Sequence, residues 1–249
     1  MHIALLVILV TYQVIMSILD KRDIQKLSGF EITENHRIKF YKETIVFGWV
    51  PVWIVLLFVS ISSLTLSDIG LRAIALSNST WLNIFIGIIC SVIILALGYQ
   101  TIMYFISSEY RSKVAAEISH KKDGNSQYDT VMSQILIPRS KVEKKWFLLV
   151  SLTAGICEEL VWRGCLIFLL SNIFSSVNII VIYMVSCILF GLAHCYQGMY
   201  GVIKTSIIAI LFVMIYYVTD SIIPGIVLHF LFDYSSAFLV KDTKLTEVQ

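Results

Sequence analysis

Apolar residues in this chain fall into long blocks separated by short polar connections. A helix that crosses the hydrocarbon core of a bilayer needs about 20 largely apolar residues at 1.5 Å rise each. Blocks of that kind run approximately over 1–19, 44–63, 82–107, 146–170, 177–196, 201–218 and 222–240. Only 3 prolines and 12 glycines interrupt them, so the expected fold class is an all-α membrane protein, a bundle of about seven transmembrane helices. The whole of 1–249 reads as one integral-membrane domain, with 1–108 supplying N-terminal helices. The stretch 109–145 is polar, contains Asp123-Gly124-Asn125-Ser126, and reads as a solvated connection. Segment Leu66–Leu71 is expected along the interface, and the first block reads as a retained helix, because it lacks a basic leading stretch and a small-residue cleavage site.

Composition agrees. Hydrophobic residues make up 57% of the chain and charged ones 14%, with a mean hydropathy of +0.82, whereas a soluble domain is about a quarter charged. The formal charge of +2 matters less than where the charges lie. Lysines and arginines crowd the connections after the first and third blocks, for example Lys21, Arg37 and Lys42, then Arg111, Lys121 and Lys144. Lys204 follows the fifth block, and Lys241 and Lys244 the seventh; the opposite connections hold only Arg72. That alternation predicts an outside N-terminus and a cytoplasmic C-terminus. The bilayer and a membrane-associated peptide or protein are the expected partners, with no nucleic acid; oligomeric state is not readable. The cysteines, Cys90, Cys157, Cys165, Cys187 and Cys195, have no zinc-knuckle or C-x-x-C spacing and read as apolar packing residues.

Away from span ends such as His2 and Lys204, ionisable side chains inside the spans are few: Glu158, Glu159, Arg163, His194, His229 and Asp233, all in the C-terminal half. A charge at mid-bilayer costs roughly 2.5–3.5 kcal/mol on insertion scales, so such residues have partners or a task. Glu159 and Arg163 are four apart on one helix face, a structural ion pair. Glu158 is turned by about 100° from Glu159 and has no local partner, which favours a functional role. His229 and Asp233 are again four apart, as are Phe190 and His194. Phe190 reads as packing that shapes a pocket wall, Trp162 and the Tyr216-Tyr217 pair as lipid or interface anchors, and Gly191, Gly198 and Gly201 as sites of close approach or turning.

These groups suit peptide hydrolysis. A desolvated glutamate is a stronger base, so Glu158 can take a proton from water with His194 holding that water or relaying the proton. His229 and Asp233 can face the oxyanion, Asp233 donating only if protonated and otherwise orienting His229. A second scheme uses Glu158, His194 and His229 as three ligands of a catalytic zinc with an open water position. H-E-x-x-H is absent, so metal ligands would have to come from separate helices; the metal-free scheme is preferred, and zinc is the alternative cofactor. Two other classes compete: a non-catalytic immunity or scaffold protein that keeps these residues for folding, and a proton-coupled transporter, against which the confinement of polar residues to one half argues.

The run Glu158-Glu159-Leu160-Val161-Trp162-Arg163 resembles the E-E-x-x-x-R motif of the CPBP family, the CAAX protease and bacteriocin-processing enzymes. Phe190-Gly191-Leu192-Ala193-His194 resembles its second motif, and His229-Phe230-Leu231-Phe232-Asp233 its third. The resemblance covers roughly 140–240, the implied catalytic core, while the first three blocks are not diagnostic. It implies an intramembrane endopeptidase in which Glu158 and His194 are catalytic, supported by His229 and Asp233, with Glu159, Arg163 and Phe190 structural. Family accounts divide between zinc and a glutamate-activated water. CAAX endopeptidases proper carry asparagine where Asp233 stands, and aspartate is common in bacterial relatives. A bacterial cell-membrane enzyme cutting peptides or membrane-protein tails, in peptide maturation or bacteriocin immunity, is the implied setting.

Overall fold

The computed structural model describes residues 1–27, 30–110, 131 and 134–236. The Asp123–Ser126 turn, Arg111, Lys121, Lys241 and Lys244 lie outside the described residues. The described chain is all-helical. Three long helices come first: α1 (His2–Lys26), α2 (Glu34–Ile61) and α3 (Thr80–Ile106). A helical run without a break then passes through α4 (Lys141–Glu158), a π-helical segment (Glu159–Leu166) and α5 (Ile167–Ile173). The chain closes with α6 (Ile179–Ala193), a 3₁₀ turn (Cys195–Gln197), α7 (Gly198–Thr219) and α8 (Ile223–Ser236).

Among the described residues four helical stretches are long and apolar enough to cross a membrane: His2–Lys26, Glu34–Ile61, Thr80–Met103 and Cys195–Thr219. Their outer faces carry large apolar side chains such as Ile8, Trp53, Leu95 and Ile207 with no protein cover, as a lipid-facing surface requires. Two further apolar helices are shorter than the sequence blocks suggested. α6 has 15 residues and α8 has 14, about 22 Å of rise at most, against a hydrocarbon core of about 30 Å.

Helix starts follow local chemistry. Ser140 accepts a hydrogen bond from the Glu143 backbone N–H at 3.1 Å, and Glu143 Oε2 accepts from the Ser140 N–H at 3.0 Å and from the Arg139 N–H. This is a reciprocal capping box, which satisfies backbone donors that a helix N-terminus would otherwise leave open. Thr33 and His36 cap α2 in the same way.

Two clusters of contacts tie the ends of the bundle. At one end the Arg37 guanidinium is buried against Glu143, Nε to Oε1 2.7 Å, while Nη1 donates to the Ile32 carbonyl at 2.9 Å. At the other, Arg72 donates to the backbone and side chain of Asp220, and the 70–77 segment pairs its backbone with 218–222. Leu66–Leu71 folds into turns in which Leu66, Ser67 and Asp68 are exposed and Ile69 is fully buried, its carbonyl against Gly164 of the π segment. The main core gathers α1, α2, the π segment, α5, α6 and α7 around Val55, Leu160, Cys165, Leu169 and Phe190. Cys157, Cys165 and Cys187 are packed there; Cys195 is exposed, unlike the packing role expected of it.

Candidate active site

The π segment changes what a regular helix would do with the first motif. All eight of its residues, Glu159–Leu166, are buried. Wider π turns are uncommon and concentrate at functional positions. A Cβ on Gly164 would collide with the Ile69 carbonyl oxygen, so this turn lies hard against the 62–79 connection. Ser186 of α6 donates to the Trp162 carbonyl at 3.2 Å. Trp162, expected as an interface anchor, is buried at 8% exposure and meets Phe190 edge-on at 5.5 Å. The apolar ring finds its partner inside the bundle.

Glu158 and Glu159 point to different places. Glu159 is 1% exposed, and its Oε1 takes two donors: Arg163 Nη1 at 3.0 Å and His229 Nδ1 at 2.9 Å. The expected Glu159–Arg163 pair is therefore present, with a histidine from α8 added to it. The Arg163 guanidinium lies over the rings of Phe190, at 4.3 Å, and Phe212, at 5.1 Å. Its Nη2 is buried with no hydrogen-bond partner. Gly225 allows α8 to approach this pair, because a Cβ there would stand 3.0 Å from Glu159 Oε2.

Glu158 instead faces the two imidazoles. Its Oε2 lies 3.9 Å from His194 Nε2 and 3.9 Å from His229 Nε2, and Asp233 Oδ2 is 3.6 Å from His229 Nε2. The side chain of Glu158 is 30% exposed and that of His194 14%, so this side of the cluster opens outward while Glu159 is sealed.

Hydrogen bonding assigns the imidazole nitrogens. His194 Nδ1 is 2.9 Å from the Phe190 carbonyl, which only accepts, so Nδ1 carries hydrogen and a neutral ring presents a lone pair at Nε2. His229 Nδ1 meets the Glu159 carboxylate, and its Nε2 likewise turns toward Glu158. His194 was expected inside the fifth span. It stands instead at the end of α6, whose last residue is Ala193, and Gly198 at φ +77° then turns the chain into α7. The helix stops there because the ring occupies the carbonyl that a further helical turn would need.

A Cβ on Gly155 would stand 2.9 Å from the Ile226 carbonyl oxygen, so α4 and α8 are in close contact beneath the cluster. Phe212 lies tilted against His229 with ring centres 5.0 Å apart, and Tyr196 lies 5.9 Å from His194. Neither Phe212 nor the buried Arg37–Glu143 pair stood out in the sequence. Phe212 is one aromatic residue in an apolar block, and Arg37 was counted among loop charges. A Ser-x-x-Glu spacing at 140–143 was the available sign of Glu143.

The donor types around Glu158 could serve a zinc ion, but their placement does not fit one. Ligand atoms of a tetrahedral zinc, each about 2.0–2.1 Å from the metal, stand about 3.3–3.4 Å apart, and the two separations here are 3.9 Å. Among the described residues no group of three His, Cys, Asp or Glu is arranged to hold a metal ion.

Residues 143–235 match the family model of the Type II CAAX prenyl endopeptidase Rce1-like proteins. This part of the chain is similar to the Rce1-like domain. It begins at Glu143, the residue that caps α4 and holds Arg37, and ends two residues beyond Asp233. All three sequence motifs fall inside the Rce1-like stretch, whereas α1, α2 and α3 lie outside it. The match is to a protease family, and the long apolar helices fit a multi-pass membrane protein. No curated protein and no solved structure matches the chain.

Proposed function

We propose that this protein is an intramembrane endopeptidase that hydrolyses a peptide bond in a membrane-associated peptide or protein tail, using a water activated by Glu158 and His194. One observation carries the reading: Glu158 Oε2 is 3.9 Å from the Nε2 of both histidines. That gap is too long for a direct hydrogen bond, and polar groups so spaced are suited to sharing a bridging water.

In this reaction Glu158 accepts a proton from the water, and the oxygen attacks the carbonyl carbon. His194 holds the same water through its Nε2 lone pair. The tetrahedral oxyanion forms on the His229 side, where a doubly protonated ring donates from Nε2 and Asp233 orients it. Breakage of the C–N bond returns the proton, from Glu158 directly or through His194, to the leaving amine. Glu159 and Arg163 support this by fixing His229, and Phe190 and Phe212 wall the site. No step runs through a metal. The catalytic core is residues 140–240, the N-terminus lies outside and the C-terminus in the cytoplasm, and the polar cluster faces the cytoplasmic half. The partly exposed side chain of Glu158 and the short reach of α6 support entry of substrate from that side.

The test is mass spectrometry of the membrane peptidome from cells making the wild-type protein or Glu158→Ala. A cleavage product present with wild type and absent with an equally expressed variant supports the reading; identical peptidomes overturn it in favour of a scaffold.

A further inference from the structure

The first helix lies outside the Rce1-like stretch, yet it reaches the residue that ends α6. Ser17 is 3% exposed, and its Oγ donates to the Ala193 carbonyl at 2.6 Å, across 176 positions of sequence. Ser186 of α6 likewise donates across segments, to the Trp162 carbonyl, whereas several other helical serines and threonines bond within their own helix. Ser60, Ser91, Thr101 and Ser151 each donate to the carbonyl four residues back in their own helix, the usual local alternative. Ser17 gives its hydrogen to another helix.

The acceptor is the telling part. The last carbonyls of a helix have no partner within it. In α6 the Phe190 carbonyl takes the His194 ring, and the Gly191 carbonyl takes the His194 backbone N–H at 2.9 Å. The Ala193 carbonyl and the His194 nitrogen belong to one rigid peptide plane. Ser17 pins the oxygen of that plane while Gly191 pins its N–H. The plane's orientation sets where the Cα of His194 lies, and so where Nε2 meets Glu158.

We propose that Ser17 is a positioning residue for His194, which makes α1 a working part of the site. The proposal rests on the endopeptidase reading only for the role given to His194; the geometry it asserts stands apart from activity.

The experiment uses the full chain in lipid nanodiscs and diethyl pyrocarbonate, which acylates an accessible neutral imidazole. Labelling at His194 and His229 is followed peptide by peptide in wild type, Ser17→Ala, Ser17→Thr and Val55→Ala. Val55 is fully buried in α2 and serves as a packing control. Ser17→Ala strands a buried carbonyl, so His194 is expected to label about fivefold faster or more, with His229 unchanged. Ser17→Thr, which keeps the hydroxyl, restores the wild-type rate, and Val55→Ala leaves it unaltered. If Ser17→Ala does not fold, Ser17→Cys, similar in size and a far weaker donor, makes the same comparison. Unchanged His194 labelling in the hydroxyl-less variant, or equal acceleration in Val55→Ala, overturns the proposal. Because the readout needs no substrate, its failure is distinct from failure to find a cleavage product.

Discussion

Arg37 at the start of α2 and Glu143 at the start of α4 form a buried ion pair, Nε to Oε1 2.7 Å, with side chains 7% and 0% exposed. Glu143 is also the first residue of the Rce1-like stretch, so this contact fastens the N-terminal helices to it. Breaking a buried pair leaves an uncompensated charge, which costs about 3–5 kcal/mol. Arg37→Met and Glu143→Gln should each lower the thermal midpoint in detergent markedly. The double variant Arg37→Met with Glu143→Gln, which keeps an oxygen for the Ser140 backbone N–H, should lose less than the sum of the two single effects, and strict additivity would contradict this account.

Glu158 and Glu159 should separate cleanly. Glu158→Gln removes the base without touching a direct hydrogen bond, so the rate of product formation should fall by about 10²–10⁴-fold at nearly constant thermal midpoint. Glu159→Gln strands the buried Arg163 and weakens the hold on His229; it should lose stability by about 3–5 kcal/mol as well as activity. Paired melting and peptidase measurements on the two variants check this, and a reversal of the stability order would refute it.

Gly164 is the tightest point of the π segment. An alanine Cβ would meet the Ile69 carbonyl oxygen, a backbone atom that moves only with the 62–79 connection. Gly164→Ala should therefore destabilise by about 1–3 kcal/mol, as overpacking does. Gly87→Ala, where nothing lies within 4 Å, serves as the control. Melting curves of the two variants decide it.

Asp68 lies in the 62–79 connection, where the Thr65 backbone N–H donates to its Oδ2 at 2.7 Å and the Thr65 hydroxyl at 2.8 Å. These donors hold its carboxyl below the usual aspartate range. A depressed acid stabilises the fold above its unfolded value, near 3.9, and loses that contribution as pH falls through the folded value. The difference in thermal midpoint between wild type and Asp68→Ala should be present at pH 7 and vanish on strong acidification; a difference that grows toward acid pH would reverse the assignment.

The sequence by itself determined the helical class, the long apolar runs, and the acidic and imidazole residues of the C-terminal half. Those follow from local rules: a lipid-facing helix must be apolar along its length, and a spacing of four places Glu159 with Arg163 and His229 with Asp233 on common faces. Tertiary structure alone decided the rest. The helical repeat cannot show that Glu159–Leu166 widens into a π turn, nor that Gly164 in it meets the backbone of a distant connection. Nor can an apolar block reveal that α6 ends at Ala193, where the His194 ring meets the Phe190 carbonyl and Ser17 of α1 donates to the Ala193 carbonyl. The separation of roles between Glu158 and Glu159 has the same origin. Adjacent residues of one type acquire different tasks here because Arg163, four residues on, and His229 from α8 hold one, while the other meets an open, imidazole-lined face.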